Sequence, residues 1–381
     1  MTRRFVVSPP QASSPLGSNQ EPETFELCAL DAFLLRVESE VRLLDRVRPP
    51  NAARSLAEVR KSFLAGQPRA PEHPRIESPG FGDLRGLLEK LAQRLMSAGP
   101  WGQLYAARVQ ELTLEAAIVD AMGSPDLLRL AEERFPVENG AAGRQAQVWA
   151  RAWLEPPEAN ESEPTFRSDD LGAPQSLIRQ LEGELREHEL EVRIQLEPDL
   201  QSRAAVGQGI IYLKPAQWLT ERTARRLVLH EVHGHVLPRE AARHAHGGLF
   251  LVGSQGGSDD EEGRALLLEK RHGLLDPERR FELALRHEAA RQARAGADFV
   301  ELVELSMALG ADLDMGLRIA ERARRGGGLG RELVYLAALH RVESAFATTP
   351  ELETWLRRGR VSIEAARALA ELGPAPHRLA A

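Results

Sequence analysis

Apolar side chains recur at helical spacing through the first part of the chain. Examples are Leu30, Phe33, Leu34 and Val37, and then Leu84, Leu87, Leu88 and Leu91. Each set covers one face of a helix. Segments containing proline interrupt this pattern at 48–50, 68–74 and 99–100, where helices are expected to end. We therefore predict a helical N-terminal region over residues 22–154.

Polar segments lie on either side of this region. Residues 1–21 contain Pro, Ser and Gly without an apolar run, a composition that favours a disordered tail. Residues 155–167 include acidic residues and prolines, which is typical of a linker between domains. Residues 168–381 are then expected to form a second domain.

The second domain shows both helix and strand patterns. Helices are predicted over 174–188 and from 277 onward, strands over 190–196 and 209–213, and a glycine-rich loop over 326–330. The alternation of apolar and polar residues in 190–196 indicates a half-buried strand. Thr220 followed by Glu221 predicts the N-terminus of a further helix.

Composition narrows the classes of function. The net charge of -7 and the pI of about 6.0 argue against a nucleic-acid-binding protein, which normally has a basic face. The chain has neither an apolar run of about 18 residues, as a membrane span requires, nor a signal-peptide pattern, so a cytoplasmic location is expected. The single cysteine, Cys28, excludes a disulfide within one chain and is expected to be buried.

Histidines cluster beside a glutamate at the end of the predicted helix. The segment is His230-Glu231-Val232-His233-Gly234-His235. Imidazole and carboxylate both bind zinc, and a catalytic zinc site needs three protein ligands and one open position for water. A neighbouring glutamate can take a proton from that water. The segment therefore predicts a zinc site, with a surface run that binds metal adventitiously as the alternative.

The spacing of the histidines leaves two ligand pairs open. His230 and His235 are five residues apart, which is about 140° on a regular helix, too far for one metal. They can share an ion only if the helix widens or ends between them. Gly234 makes a π-type bulge easy. His230 and His233, about 60° from eclipsed, are the other pair.

A second acidic segment opens an apolar helix further along, Glu261-Glu262-Gly263-Arg264-Ala265. In this order the two segments resemble H-E-x-x-x-H followed by Q/E-E-G-L-A, the motifs of the tyrosine carboxypeptidase-like metallopeptidases, also called QEGLA-motif proteins. Vertebrate members of that family remove the C-terminal tyrosine from α-tubulin. Residues 211–214, 322–326 and 331–336 are also similar to family segments.

The resemblance implies a set of residue roles and a fold. His230, His235 and Glu262 are implied as zinc ligands, and Glu231 as the catalytic base. The implied reaction is removal of a C-terminal Tyr-like or Phe-like residue from a peptide or protein. We accordingly predict an α+β, predominantly helical fold, in which a helical N-terminal region precedes a zincin-like catalytic domain with a small β-sheet.

The chain departs from the family pattern inside both motifs. Family members usually carry Gly-Thr where this chain has His233-Gly234, and Leu where it has Arg264. Arg331-Glu332 replaces Lys-Asp. Because the glycine is shifted by one position, the resemblance does not fix the local helix geometry. His233 has three alternative roles: lining the pocket, holding a carboxylate, or competing for the metal.

Substrate binding adds a last group of candidates. They are Arg322, Arg325, Tyr335, Tyr212, Lys214 and His233. Arg322 and Arg325 can share a helix face and suit a terminal carboxylate, although surface ion pairing is the alternative. Tyr335, Tyr212 or His233 could donate to the developing oxyanion. The strand that ends before Lys214 could pair with an extended peptide, as edge strands do, or could simply be part of the sheet core.

Two other functions remain open at this stage. One is a regulatory or non-catalytic metal-binding protein, since the family has also been named for modulating flavohaemoglobin expression. Glu231 argues against it, because a purely structural metal site has no use for a base that does not bind the metal. The other is an endopeptidase that uses the same metal.

Overall fold

The computed structural model describes residues 24–47, 51–72, 78–137, 139–158, 163–207, 209–245 and 248–380. The tail predicted over residues 1–21 lies outside them. The predicted predominantly helical α+β fold is confirmed, whereas the zincin-like character of the second domain stays a prediction. The helices before the predicted linker are α1 (Leu27–Val41), α2 (Leu43–Arg46), α3 (Ala52–Leu64), α4 (Gly82–Met96), α5 (Gly99–Asp120), α6 (Leu127–Arg134) and α7 (Ala141–Ala152).

Within the described residues the strands form three small sheets. Strand β1 (Thr24–Glu26) pairs with β7 (Arg378–Ala380), and β2 (Thr165–Arg167) pairs with β6 (Trp218–Thr220), both antiparallel. The third sheet contains β3 (Arg193–Leu196), β4 (Ala204–Gly207) and β5 (Ile210–Leu213). Strand β5 is central, parallel to β3 and antiparallel to β4. The expectation that β5 could pair with a peptide as an edge strand is wrong, because both of its sides are already paired.

Helices dominate the rest of the chain. They are α8 (Leu177–Glu187), α9 (Glu221–Val228), a π-helix (Leu229–Val236), α10 (Leu237–His244), α11 (Leu249–Val252), α12 (Gly257–Arg271), α13 (Pro277–Arg294), α14 (Phe299–Ala308), α15 (Leu313–Arg324), α16 (Val334–Thr348), α17 (Leu352–Leu356) and α18 (Ile363–Leu372). Short 3-10 turns span Arg325–Gly327 and Arg331–Leu333. Thr220 caps α9 as predicted, since its hydroxyl accepts a hydrogen bond from the Thr223 amide.

Two hydrophobic cores position the helices that carry the motifs. The larger core joins early and late parts of the chain: Leu34 of α1 and Leu112 of α5 are buried in one cluster with Leu266 of α12 and Leu339 of α16. A separate core packs α8, the third sheet, α9 and the π-helix together. The π-helix therefore lies between α8 on one side and α12 on the other. The division into domains at residues 155–167 stays a prediction.

The expectations from composition have mixed outcomes. Cys28 is exposed, so its predicted burial is wrong. The buried face of α1 includes Leu27 and Leu30, and Cys28, one residue after Leu27, is turned about 100° from it. Among the described helices, none combines the length and apolar character needed to cross a bilayer. The cytoplasmic location and the lack of nucleic-acid binding stay predictions.

Candidate metal centre

The histidine motif lies in the π-helix that continues α9. Hydrogen bonds in a π-helix join residue i to residue i+5, so side chains five apart come to lie over one another. The rings of His230 and His235 accordingly have centroids only 5.1 Å apart. The predicted widening of the helix is confirmed. It brings together the pair of histidines that a regular α-helix would separate.

Gly234 allows the π-helix to lie directly against α12. A Cβ atom at Gly234 would stand 2.8 Å from the Cβ of Ala265, well inside the normal contact distance of carbon atoms. Pro238, four residues after Gly234 and five after His233, has no N–H to offer their carbonyl groups. The guanidinium of Arg264 donates to both of these carbonyl oxygens instead. Two departures from the family pattern, Gly234 and Arg264, thus meet in one contact.

Glu262 of α12 completes a cluster with the two histidines. Its Oε2 lies 3.4 Å from Nε2 of His230 and 3.9 Å from Nε2 of His235, and the three ligand atoms lie within 4.8 Å of one another. This Oε2 is buried and has no hydrogen-bond partner among the described residues, which is unfavourable unless a further group binds it. The cluster therefore fits a metal ion, with the donor set of a catalytic zinc site.

Each imidazole is oriented by a carboxylate at Nδ1, the ring nitrogen that does not face Glu262. Nδ1 of His230 lies 2.7 Å from Oε1 of Glu269, and Nδ1 of His235 lies 3.4 Å from Oε2 of Glu261. Carboxylates in this position fix the ring and leave Nε2 free for a metal. Sequence analysis did not identify Glu269. Its spacing of seven residues from Glu262, two turns along α12, was the signal that could have found it.

Glu269 is a fully buried carboxylate that arginines keep ionised. Its Oε2 accepts a hydrogen bond from Nε of Arg279 at 3.1 Å, and Nη1 of Arg226 lies 3.8 Å from Oε1. Burial raises the pKa of Glu269, but these two arginines outweigh it and hold that pKa to about 2. The carboxylate therefore stays charged and can hold His230 at neutral pH.

The pKa values of the cluster residues reflect the opposite charges that lie close together. Burial lowers the pKa of His230, but the neighbouring carboxylates of Glu262 and Glu269 outweigh this effect and raise it to about 9. Burial raises the pKa of Glu262, yet His230, His235 and Arg331 hold it well below its ordinary value. The carboxylates therefore supply negative charge in a buried place, which favours a bound cation.

Glu231 lies with the cluster in one cavity of about 340 Å³. It follows His230 on the π-helix and is itself buried. Burial raises the pKa of Glu231, while the charges of His230 and His235 oppose the rise. A carboxyl group with a raised pKa, close to the candidate metal ligands but not one of them, is suited to accept and return a proton.

Comparison with known proteins assigns the chain to a family. The family described as microtubule-associated tyrosine carboxypeptidase matches residues 61–375. The chain belongs to this family. No curated protein and no solved structure is a significant match. The protein is accordingly a carboxypeptidase-like hydrolase, and both motif segments lie within the range that the tyrosine carboxypeptidase family covers.

Arginines are frequent around the cavity of this tyrosine carboxypeptidase family member. Those in its lining are Arg203, Arg226, Arg239, Arg279, Arg286, Arg318, Arg322, Arg325, Arg331 and Arg360. Arg322 pairs with Glu332, Nη2 to Oε1, at 3.1 Å. The buried Nε atoms of Arg322 and Arg325 have no hydrogen-bond partner among the described residues. Both candidates for carboxylate binding therefore line the cavity, and each has a buried donor without a partner among the described residues.

The other predicted substrate-binding residues divide into two groups. Tyr335 and Tyr212 line the cavity, and the guanidinium of Arg286 lies over the Tyr335 ring, 4.2 Å from its centroid. Lys214 and His233 are not among the described residues of the lining. His233 turns instead toward α8, where its Nε2 lies 2.6 Å from Oε1 of Glu184. The structure thus brings neither Lys214 nor His233 to the metal cluster.

Strand β4 also borders the cavity. Ala204–Gly207 contributes to the lining and lies at the edge of the third sheet among the described strands. Its free side can accept an additional extended strand. Sequence analysis missed β4, because four small residues show too little alternation to indicate a strand.

Proposed function

We propose that this chain is a zinc-dependent carboxypeptidase that removes a Tyr-like or Phe-like residue from the C-terminus of a peptide or protein. The observation that carries the proposal is the cluster of His230, His235 and Glu262, whose buried carboxylate oxygen lacks a partner among the described residues. Glu231 shares the cavity. Zinc at this place would polarise the scissile carbonyl and make a water molecule acidic.

Glu231 is the residue that moves protons in the proposed reaction. It accepts a proton from the attacking water, whose oxygen forms a bond to the carbonyl carbon. The carbon–nitrogen bond then breaks, and Glu231 passes the proton to the leaving amine. The products are a free amino acid and a peptide shortened by one residue. Tyr335 or Tyr212 of the cavity lining donates to the oxyanion that develops.

The cavity also offers groups to hold the peptide. The edge strand β4 pairs with the extended substrate through main-chain hydrogen bonds. Arg322 and Arg325 bind the terminal carboxylate, a task for which the planar guanidinium is well suited. A free carboxylate would then be recognised beside the metal centre, and this arrangement favours removal of single C-terminal residues over internal cuts.

The experiment combines zinc quantification with peptide hydrolysis. Matched peptides ending in Tyr, Phe, Ala or Tyr-amide are incubated with the full chain and with Glu231→Gln. We expect Glu231→Gln to keep its zinc and to lose at least about a hundredfold in rate, and the amide to be a poor substrate. Wild-type cleavage by Glu231→Gln would exclude this residue as the base. Internal cuts would favour an endopeptidase, and full zinc occupancy without cleavage of any peptide would favour a regulatory metal-binding protein.

A further inference from the structure

A second cluster of histidine and glutamate side chains lies where the π-helix packs against α8. Nε2 of His233 is 2.6 Å from Oε1 of Glu184, and Nε2 of His188 is 3.2 Å from the same oxygen. The two rings meet edge to face with centroids 5.3 Å apart. The three ligand atoms all lie within 4.8 Å of one another. None of the three residues is in the described lining of the cavity.

The geometry of this cluster suits a tetrahedral ion. Zinc binds imidazole nitrogen and carboxylate oxygen at about 2.0–2.2 Å, which places neighbouring donors roughly 3.4 Å apart. The observed separations of 2.6 and 3.2 Å are shorter than this value, and side-chain rotations that move the imidazoles away from Glu184 would admit the ion. Glu184 and His188 are four residues apart along α8 and its C-terminal cap, a spacing that puts both on one helix face. His233 supplies the third ligand from another helix.

The exposure of the cluster distinguishes it from the cavity cluster. The side chains of Glu184, His188 and His233 are 24%, 33% and 32% exposed. An ion could therefore enter directly from solvent and keep a water molecule as its fourth ligand. The exposed position offers no enclosed space for a substrate. This donor set and its exposure therefore suit an ion that holds α8 and the π-helix together.

We propose that Glu184, His188 and His233 form a second zinc site, which clamps the end of α8 to the π-helix. The clamp acts on the helix that carries His230, Glu231 and His235, while its own ligands stay outside the cavity. Zinc at this site stabilises the packing of the two helices by binding the folded chain and not the unfolded one. The inference does not depend on the proposed peptidase activity.

The test counts zinc ions in the full chain after removal of metal by a chelator, addition of zinc and gel filtration. We expect two ions per chain in the wild type and one each in His188→Ala, Glu184→Gln and His230→Ala. The control is His272→Ala, because His272 is exposed and its Nδ1 contacts only its own helix at Leu268. It should keep both ions. His188 is exposed at a helix end, so its replacement leaves the core intact.

A second measurement uses thermal unfolding. Zinc should raise the unfolding temperature of His230→Ala but not that of the double variant His188→Ala, His230→Ala. The proposal is overturned if His188→Ala and Glu184→Gln bind as much zinc as the wild type, or if His272→Ala loses an ion equally. One ion in both the wild type and His230→Ala, with none in His188→Ala, would support this site while refuting the zinc centre in the cavity.

Discussion

The cavity cluster, His230, His235 and Glu262, and the outer cluster, Glu184, His188 and His233, present the same donor types from one π-helix. Their surroundings differ. In the cavity cluster both Nδ1 atoms face carboxylates. In the outer cluster both imidazoles contact one carboxylate through Nε2, and among the described residues no carboxylate contacts Nδ1 of either ring.

Because of this difference in surroundings, we propose a catalytic role for the cavity cluster and not for the outer cluster. Glu269 orients His230 only because Arg279 and Arg226 offset the cost of burying its charge, since an unpaired buried carboxylate would be strongly unfavourable. The cavity cluster thus depends on a shell of ion pairs that fixes each ring before a metal arrives. The outer cluster must arrange its ligands when the ion binds. We therefore expect substitutions to have larger effects in the cavity.

Loss of a ligand should separate the clusters most strongly. His235→Ala is expected to lower kcat/KM at least about a thousandfold, because the zinc centre supplies several kcal/mol of transition-state stabilisation. His188→Ala, in the outer cluster, should stay within about threefold of the wild type. The measurement is hydrolysis of a peptide ending in Tyr at matched zinc. Equal losses of kcat/KM in the two variants would show that the two clusters do not differ in their contribution to catalysis.

The orienting carboxylate should have the next largest effect. Glu269→Gln is expected to weaken zinc binding in the cavity by roughly 10–100-fold, since it removes the charge that holds His230. Glu343→Gln is the matched control, because Glu343 is a partly exposed carboxylate on α16 that pairs with Lys270. Competition with a chelating dye measures both affinities. Unchanged zinc affinity in Glu269→Gln would show that the cavity cluster is no better preorganised for zinc than the outer one.

Proton competition gives a third distinction. The pKa of His230 is raised to about 9 without metal, so zinc must displace a proton at neutral pH. Zinc affinity of the cavity should therefore rise roughly tenfold per pH unit from pH 7 toward 9 and then level off. Because the pKa of His230 is raised in the folded chain, its protonated form stabilises the metal-free fold. This contribution to the free energy of unfolding is present at low pH and lost above about pH 9. Titrations of His188→Ala isolate the cavity ion, and a flat profile would contradict the prediction.

The smallest expected effect concerns the packing of the π-helix itself. Gly234→Ala places a Cβ 2.8 Å from that of Ala265 and should lower the free energy of unfolding by about 1–3 kcal/mol. Gly183→Ala on α8 is the control, because nothing lies within 4 Å of its added Cβ. It should raise stability by up to about 1 kcal/mol. Urea unfolding measures both, and equal shifts would contradict the close contact.

Local sequence patterns predicted correctly the features that depend on neighbouring residues along the chain. Thr220 caps α9 as its position before an acidic first turn indicates. The spacing in the motif indicated a widened helix as one of two solutions, since His230 and His235 could share a metal only if the helix widened or ended between them. Strand β5 has the predicted position along the chain, but its central place in the sheet depends on β3 and β4. Strand order is a non-local property, and one strand does not indicate its neighbours.

The sequence by itself determined the types of donor, the order of the two motifs and the helix cap. It also determined that His230 and His235 can share an ion only if the helix is distorted between them. Only the tertiary structure decided what each donor faces. Glu269 meets His230 because α12 lies close along the π-helix, and His233 points to Glu184 because a π-helix turns less per residue than an α-helix. Both facts follow from the rotation and distance between packed helices, which the spacing of residues along one helix does not contain.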